Sequence, residues 1–127
     1  MDADVRERSE VGWLTPRNGT LTRLRDTYWH DGRFVQATLR NDESHASVRL
    51  DLHLYEQERS SERSLFVIDC RGVTRFECTV DVLELRDHAW AGNIIDGKQH
   101  GRTLRIELCG GFVEIEADAF ELQERAS

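Results

Sequence analysis

The stretch that decides the fold is Ala46-Ser47-Val48-Arg49-Leu50-Asp51-Leu52-His53-Leu54-Tyr55. Val48, Leu50, Leu52 and Leu54 alternate with Arg49, Asp51, His53 and Tyr55. Side chains of an extended chain point to opposite faces with a period of two, so this segment reads as a half-buried β-strand. His53 falls on the polar face, where it is expected in solvent.

Similar patterns extend in both directions. Phe34–Arg40 is expected to be a strand with Val35, Ala37 and Leu39 on one face, closed by the polar turn at residues 41–44. Residues 56–64 are polar and read as a solvated loop. Leu65–Cys70 is nearly continuously apolar, as expected of a strand covered on both faces. Gly72 allows a bend or bulge, and residues 74–85 read as a strand with Phe76, Cys78, Val80 and Val82 on one face. A phase change near Leu83-Glu84-Leu85 marks a second expected corner.

Asp96-Gly97 is a two-residue hairpin signal, because such turns need residues that tolerate positive φ. Thr103–Leu108 is expected to place Leu104, Ile106 and Leu108 inward. After a hairpin at Gly110-Gly111, Val113, Ile115 and Ala117 return on the inner side. Phe120 and Leu122 extend this ladder or begin a last short strand. The expected fold is therefore all-β, an antiparallel sandwich or barrel of seven to eight strands. A short N-terminal helical or irregular segment precedes it: Thr20 is placed to cap a short helix sharing Leu21, Leu24 and Tyr28 on one face. Residues 1–12 read as a flexible segment, and 13–127 as a single domain.

At 127 residues, the chain is long enough for a core without disulfide or metal staples. Its three cysteines, Cys70, Cys78 and Cys109, lack CxxC spacing. Free thiols are expected, with Cys70 and Cys78 buried and Cys109 the candidate for reactivity. Sixteen of the seventeen basic residues are Arg, a usage expected of a GC-rich bacterial genome. The segment Met1–Arg8 does not resemble a secretory signal, and no apolar run approaches the roughly 20 residues of a membrane-spanning helix. A cytoplasmic location and no membrane contact are the expectation.

The formal net charge is −7, with residues 65–127 carrying −5 of it. Such a surface repels phosphate backbones, so no nucleic-acid partner is expected, whereas a basic protein is attracted. Only one proline, Pro16, occurs, and it precedes the expected sheet. Sheet edges are then protected by charge, bulges or a covering segment, and edge pairing is a route to a homodimer.

The residues that draw attention as candidate binding groups are Trp29, His30, Asp31, His88 and Trp90. His30 beside Asp31 offers an imidazole with an orienting carboxylate, but catalysis also needs a nucleophile or positioning groups nearby in space. The competing expectation is that Tyr28 and Trp29 fill core space while His30 and Asp31 serve a turn. Trp29 and Trp90, if exposed together, form a hot spot; if buried, they plug one end of the sheet. The five histidines show no HxH, HExxH or HxxxH spacing, so no metal site and no cofactor is expected. The sequence contains no GxSxG, Walker or paired-carboxylate signature. No catalytic residues are nominated, and whether the protein is an enzyme stays open, with a non-enzyme favoured.

The succession Tyr28-Trp29-His30-Asp31, Gly72-Val73, Asn93-Ile94-Ile95-Asp96-Gly97 and Gly110-Gly111-Phe112-Val113-Glu114-Ile115 resembles small bacterial all-β proteins of unknown function. Some of these are grouped with immunity proteins of polymorphic toxin systems. The likeness spans residues 28–118 and rests on turns and hydrophobic pattern, so it transfers no catalytic residues. It implies a non-enzymatic intracellular binder engaging a protein partner. A small-molecule binder with a pocket inside the barrel or sandwich is the alternative.

Overall fold

The computed structural model describes residues 24–58, 60–83 and 92–125. The described residues contain one short 3-10 turn, Leu24–Asp26, and eight strands. These are β1 (Arg33–Asn41), β2 (Ala46–Tyr55), β3 (Arg63–Arg71), β4 (Arg75–Val80), β5 (Ile94–His100), β6 (Thr103–Leu108), β7 (Gly111–Glu116) and β8 (Ala119–Arg125). All pairings are antiparallel. The strands form two four-stranded sheets, β1-β2-β3-β8 (sheet I) and β4-β7-β6-β5 (sheet II). The architecture is a sandwich; the sheets do not close into a barrel. Among the described residues no helix is long and apolar enough to cross a membrane.

The alternating stretch forms β2, with Val48, Leu50, Leu52 and Leu54 at most 1% exposed and Arg49 and His53 in solvent. These side chains share one core with Phe66, Ile68, Cys70, Phe120 and Leu122 of sheet I and with Ile94, Leu104, Ile106, Val113 and Ile115 of sheet II. Val67, on the other face of β3, is also fully buried, as its apolar run predicts.

The two sheets are joined by a bent antiparallel ribbon. β3 pairs with β8 up to Arg71 opposite Ala119, and β4 pairs with β7 from Arg75 opposite Glu116. Four residue steps on one strand therefore face three on the other, so the β3–β4 side carries an extra residue. Gly72 absorbs it at φ +65°, and Thr74 and Asp118 donate backbone hydrogen bonds across the corner to Glu116 and Arg71. A second junction lies at the opposite side of the sandwich, where Arg33 bridges Asn93.

Several expectations need correction. In β1, the register shifts between Phe34 and Gln36, so Val35 is a bulged residue and 44% exposed. Phe34, Ala37 and Leu39, rather than Val35, Ala37 and Leu39, lie opposite the inward residues of β2. The fourth strand stops at Val80, and Val82 and Leu83 are exposed. Its Cys78 faces the core side but is exposed, because β4 is the sheet's edge and lacks a neighbour there among the described residues. Asp96-Gly97 is not a turn: both residues lie inside β5, and the hairpin to β6 falls at Gly101-Arg102. The Gly110-Gly111 hairpin is present one residue earlier, with Cys109 and Gly110 between the paired Leu108 and Gly111. Of the two alternatives for Phe120 and Leu122, the last short strand is the one found, and it lies in sheet I. Thr20 and Leu21, the expected flexible segment 1–12, and Glu84 and Leu85 lie outside the described residues.

Candidate functional site

The segment Tyr28–Gly32 forms a tight turn at the junction of the sheets. Gly32 N–H donates to the Trp29 carbonyl at 2.9 Å, and Asp31 adopts φ +65°, the only positive φ of a non-glycine residue described. Asp can occupy this left-handed region because its short polar side chain bonds locally. The turn is stitched to β5: Asp31 N–H donates to Ile94 O, and Ile94 N–H donates to Gly32 O. Arg63 Nε donates to the Asp31 carbonyl at 2.9 Å, while its guanidinium lies 4.9 Å from the centre of the Tyr55 ring.

Of the nominated residues, Trp29 is buried, its indole packed where a Gly97 side chain would stand. His30 and Asp31 are both well exposed and 3.6 Å apart. His30 Nδ1 lies 3.4 Å from the Ile95 carbonyl, and the imidazole meets Tyr28 edge-on. His88 and Trp90 lie outside the described residues. The turn thus has a structural task, and Trp29 is a core residue there. Among the described residues, no group of three or more His, Cys, Asp or Glu side chains is placed to hold a metal.

A different surface carries the more organised chemistry. On the outer face of sheet II the residues form three rows across β4, β7, β6 and β5. The rows read Arg75–Glu116–Thr103–His100, then Glu77–Glu114–Arg105–Lys98, then Thr79–Phe112–Glu107–Asp96. An open depression of about 370 Å³ sits over the β5–β6–β7 part, lined by Asp96, Lys98, His100, Thr103, Arg105, Glu107 and Glu114.

Arg105 is the hub of this face. It donates to Glu107 on its own strand and, at 2.8 Å, to Glu114 on β7, and it stacks 4.0 Å from the centre of the Phe112 ring. Both carboxylates hold its guanidinium more firmly protonated than usual, Glu107 most strongly. Arg75 is similarly tied to Glu77 at 2.9 Å.

Three pairs on this face oppose like charges directly: Glu77 with Glu114, Asp96 with Glu107, and Lys98 with Arg105. Side chains directly opposite in an antiparallel pair are about 5 Å apart at Cβ, and like charges there destabilise the free sheet. Arg75 on Glu77 and Arg105 on Glu107 and Glu114 offset this repulsion, which leaves Asp96 and Lys98 as the members without an ion-pair partner among the described residues.

Two further groups stand apart. Glu124, on the inward side of β8, is pushed up to about 7, chiefly by burial and then by the neighbouring Glu56 carboxyl. Burial also pushes the Cys70 thiol far above its ordinary value, which makes it inert, and raises Cys78 more mildly.

Of the outer-face residues, the sequence drew attention to Asp96 as a turn residue and to Phe112 and Glu114 within the resemblance, and to none of them as a binding group. The period-two pattern places them in solvent, but only strand pairing shows which charges oppose one another. No family model, curated protein or solved structure matches the chain.

Proposed function

We propose that this protein is a binding module, of the immunity type its resemblance implies, and that the outer face of sheet II engages a basic protein partner. The observation that carries this reading is the direct opposition of Asp96 and Glu107 at the edge of the depression. Arg105 already pairs with Glu107, so the carboxylate left without a cation among the described residues is Asp96, whose Oδ1 accepts the Gly97 N–H at 2.8 Å. A partner's Arg or Lys side chain supplies that cation, and the chain's net charge of −7 steers a basic partner toward it. The strands supply a preorganised platform, so little ordering entropy is lost on binding.

The test compares the full-length chain with Asp96→Asn. Removing one of two opposed like charges is expected to stabilise the free protein by a few tenths to about 1 kcal/mol in urea unfolding. The same variant should capture a toxin encoded beside it about tenfold more weakly at low salt, with the difference shrinking as salt rises. Retained capture and protection from that toxin in the variant would overturn this assignment of the face.

The alternative, a small-molecule binder, is expected from the sequence to use a pocket inside the sandwich, where packed core side chains lie instead. A small ligand would have to use the outer-face depression, whose volume lies within the roughly 300–1,000 Å³ of small-ligand pockets. That reading predicts saturable shifts of Lys98 and Arg105 resonances by a small polar ligand with no macromolecular partner present.

A further inference from the structure

The acidic pair occupies one side of the depression; the other side is basic. Lys98 stands directly opposite Arg105, and His100 directly opposite Thr103 one row further on. Arg105 is neutralised by Glu107 and Glu114 and drawn toward β7, over Phe112. Lys98 has no ion-pair or hydrogen-bond partner among the described residues, and it is exposed, as is His100. The wall therefore gathers an ammonium, an imidazole and a hydroxyl group, with no carboxylate satisfying the ammonium.

We infer that Lys98, His100 and Thr103 form an anchor for a carboxylate of the same partner whose cation meets Asp96 and Glu107. A monoanion suits the site better than a phosphate. Asp96 lies one row away on the same strand and Glu107 diagonally across on β6, so a dianion would be repelled more than one lysine could offset. The two subsites follow successive same-face positions of β5, Asp96 and Lys98, which are about 7 Å apart along an extended strand. The partner thus presents a basic and an acidic group with about that separation, the spacing of residues i and i+2 in an extended segment. This inference rests on the docking role proposed for the face and specifies which chemistry occupies it.

Two capped peptides test it, acetyl-Arg-Thr-Glu-amide and acetyl-Arg-Thr-Gln-amide, titrated into the full-length protein and followed by amide resonances on β5 and β6. The Glu peptide is expected to bind about tenfold more tightly, near the lower end of what a hydrogen bond to a charged group contributes. That preference should vanish in Lys98→Gln, survive in Lys98→Arg, and persist in Asp96→Asn while overall affinity falls. Equal binding of the two peptides, or an unchanged preference in Lys98→Gln, overturns the carboxylate anchor and leaves the basic-partner reading standing. If neither peptide moves the outer-face resonances, both readings fall. Lys98 is exposed, so unchanged thermal unfolding of its variants serves as the control for folding.

Discussion

Gly97 is a glycine because an indole occupies the place of its side chain. A Cβ built there would lie 2.3 Å from Cδ2 of Trp29. Gly97→Ala should therefore force the indole or the strand to shift and cost about 1–3 kcal/mol in urea unfolding, with altered Trp fluorescence. A turn glycine would behave differently, and an unchanged Trp29 environment would speak against the packing account. Glu124 gives the second residue-scale prediction. Its folded pKa of about 7 lies above its ordinary value of 4.5, so the native state holds the proton more tightly than the unfolded chain. Stability from this group is complete below about pH 4.5 and is lost as the pH rises toward 7. The loss should be about 1 kcal/mol or less, since solvent screens a half-exposed group. Glu124→Gln should flatten this part of the stability profile; parallel profiles for the two proteins would refute the assignment.

At the scale of elements, the strands owe their existence to local alternation and their limits to neighbours. β1 reads as an uninterrupted strand, but the bulge at Val35 switches the inward set, and alternation on either side of a bulge looks the same in sequence. β4 ends at Val80 because its one partner among the described residues, β7, begins opposite it at Gly111, and at a sheet edge the apolar parity of Phe76, Cys78 and Val80 does not guarantee cover. A thiol reagent should accordingly label Cys78 and Cys109 in the native protein and reach Cys70 only on unfolding. Labelling of Cys109 alone would mean that Cys78 is covered. The corner at Gly72 can be isolated by comparison with the β5–β6 hairpin. Gly72 and Gly101 have nearly the same positive φ, but a Cβ on Gly72 would lie 2.4 Å from Asp118 Oδ2, whereas one on Gly101 meets open space. Both Ala variants carry backbone strain of about 1 kcal/mol, and Gly72→Ala should cost measurably more. Equal losses in a chemical-denaturation comparison would show that the corner tolerates the side chain.

For the whole molecule, the core and the charged face make separable demands. Ile106 is fully buried between its neighbours on β5 and β7, and Ile106→Ala should cost about 2–5 kcal/mol without altering the outer face. Asp96→Asn, by contrast, should leave the core intact while relieving repulsion on the opposite side of the same sheet. The fold class was legible because each strand carries its own periodicity, as in Val48–Leu54 and Leu104–Leu108. The candidate site was hardly legible. His30 and Asp31 stand out because they adjoin each other in sequence, yet their turn chiefly anchors β5. Lys98 and Arg105, or Asp96 and Glu107, become neighbours only through the β5–β6 register, shifted by the bulge between Ile94 and Asp96.

By itself, the sequence determined that this chain forms antiparallel strands, which side of most strands is apolar, and that the surface is strongly acidic. Those properties arise from residues two apart and from summed charge, and they need no knowledge of pairing. Tertiary structure alone decided that the alternation of 46–55 belongs to a sandwich joined by a bent ribbon. It also decided that Asp96-Gly97 runs straight beneath an indole, and that like charges confront each other across sheet II. Each of these depends on contacts between segments distant in the chain, where packing overrides local turn preference and register sets which charges meet.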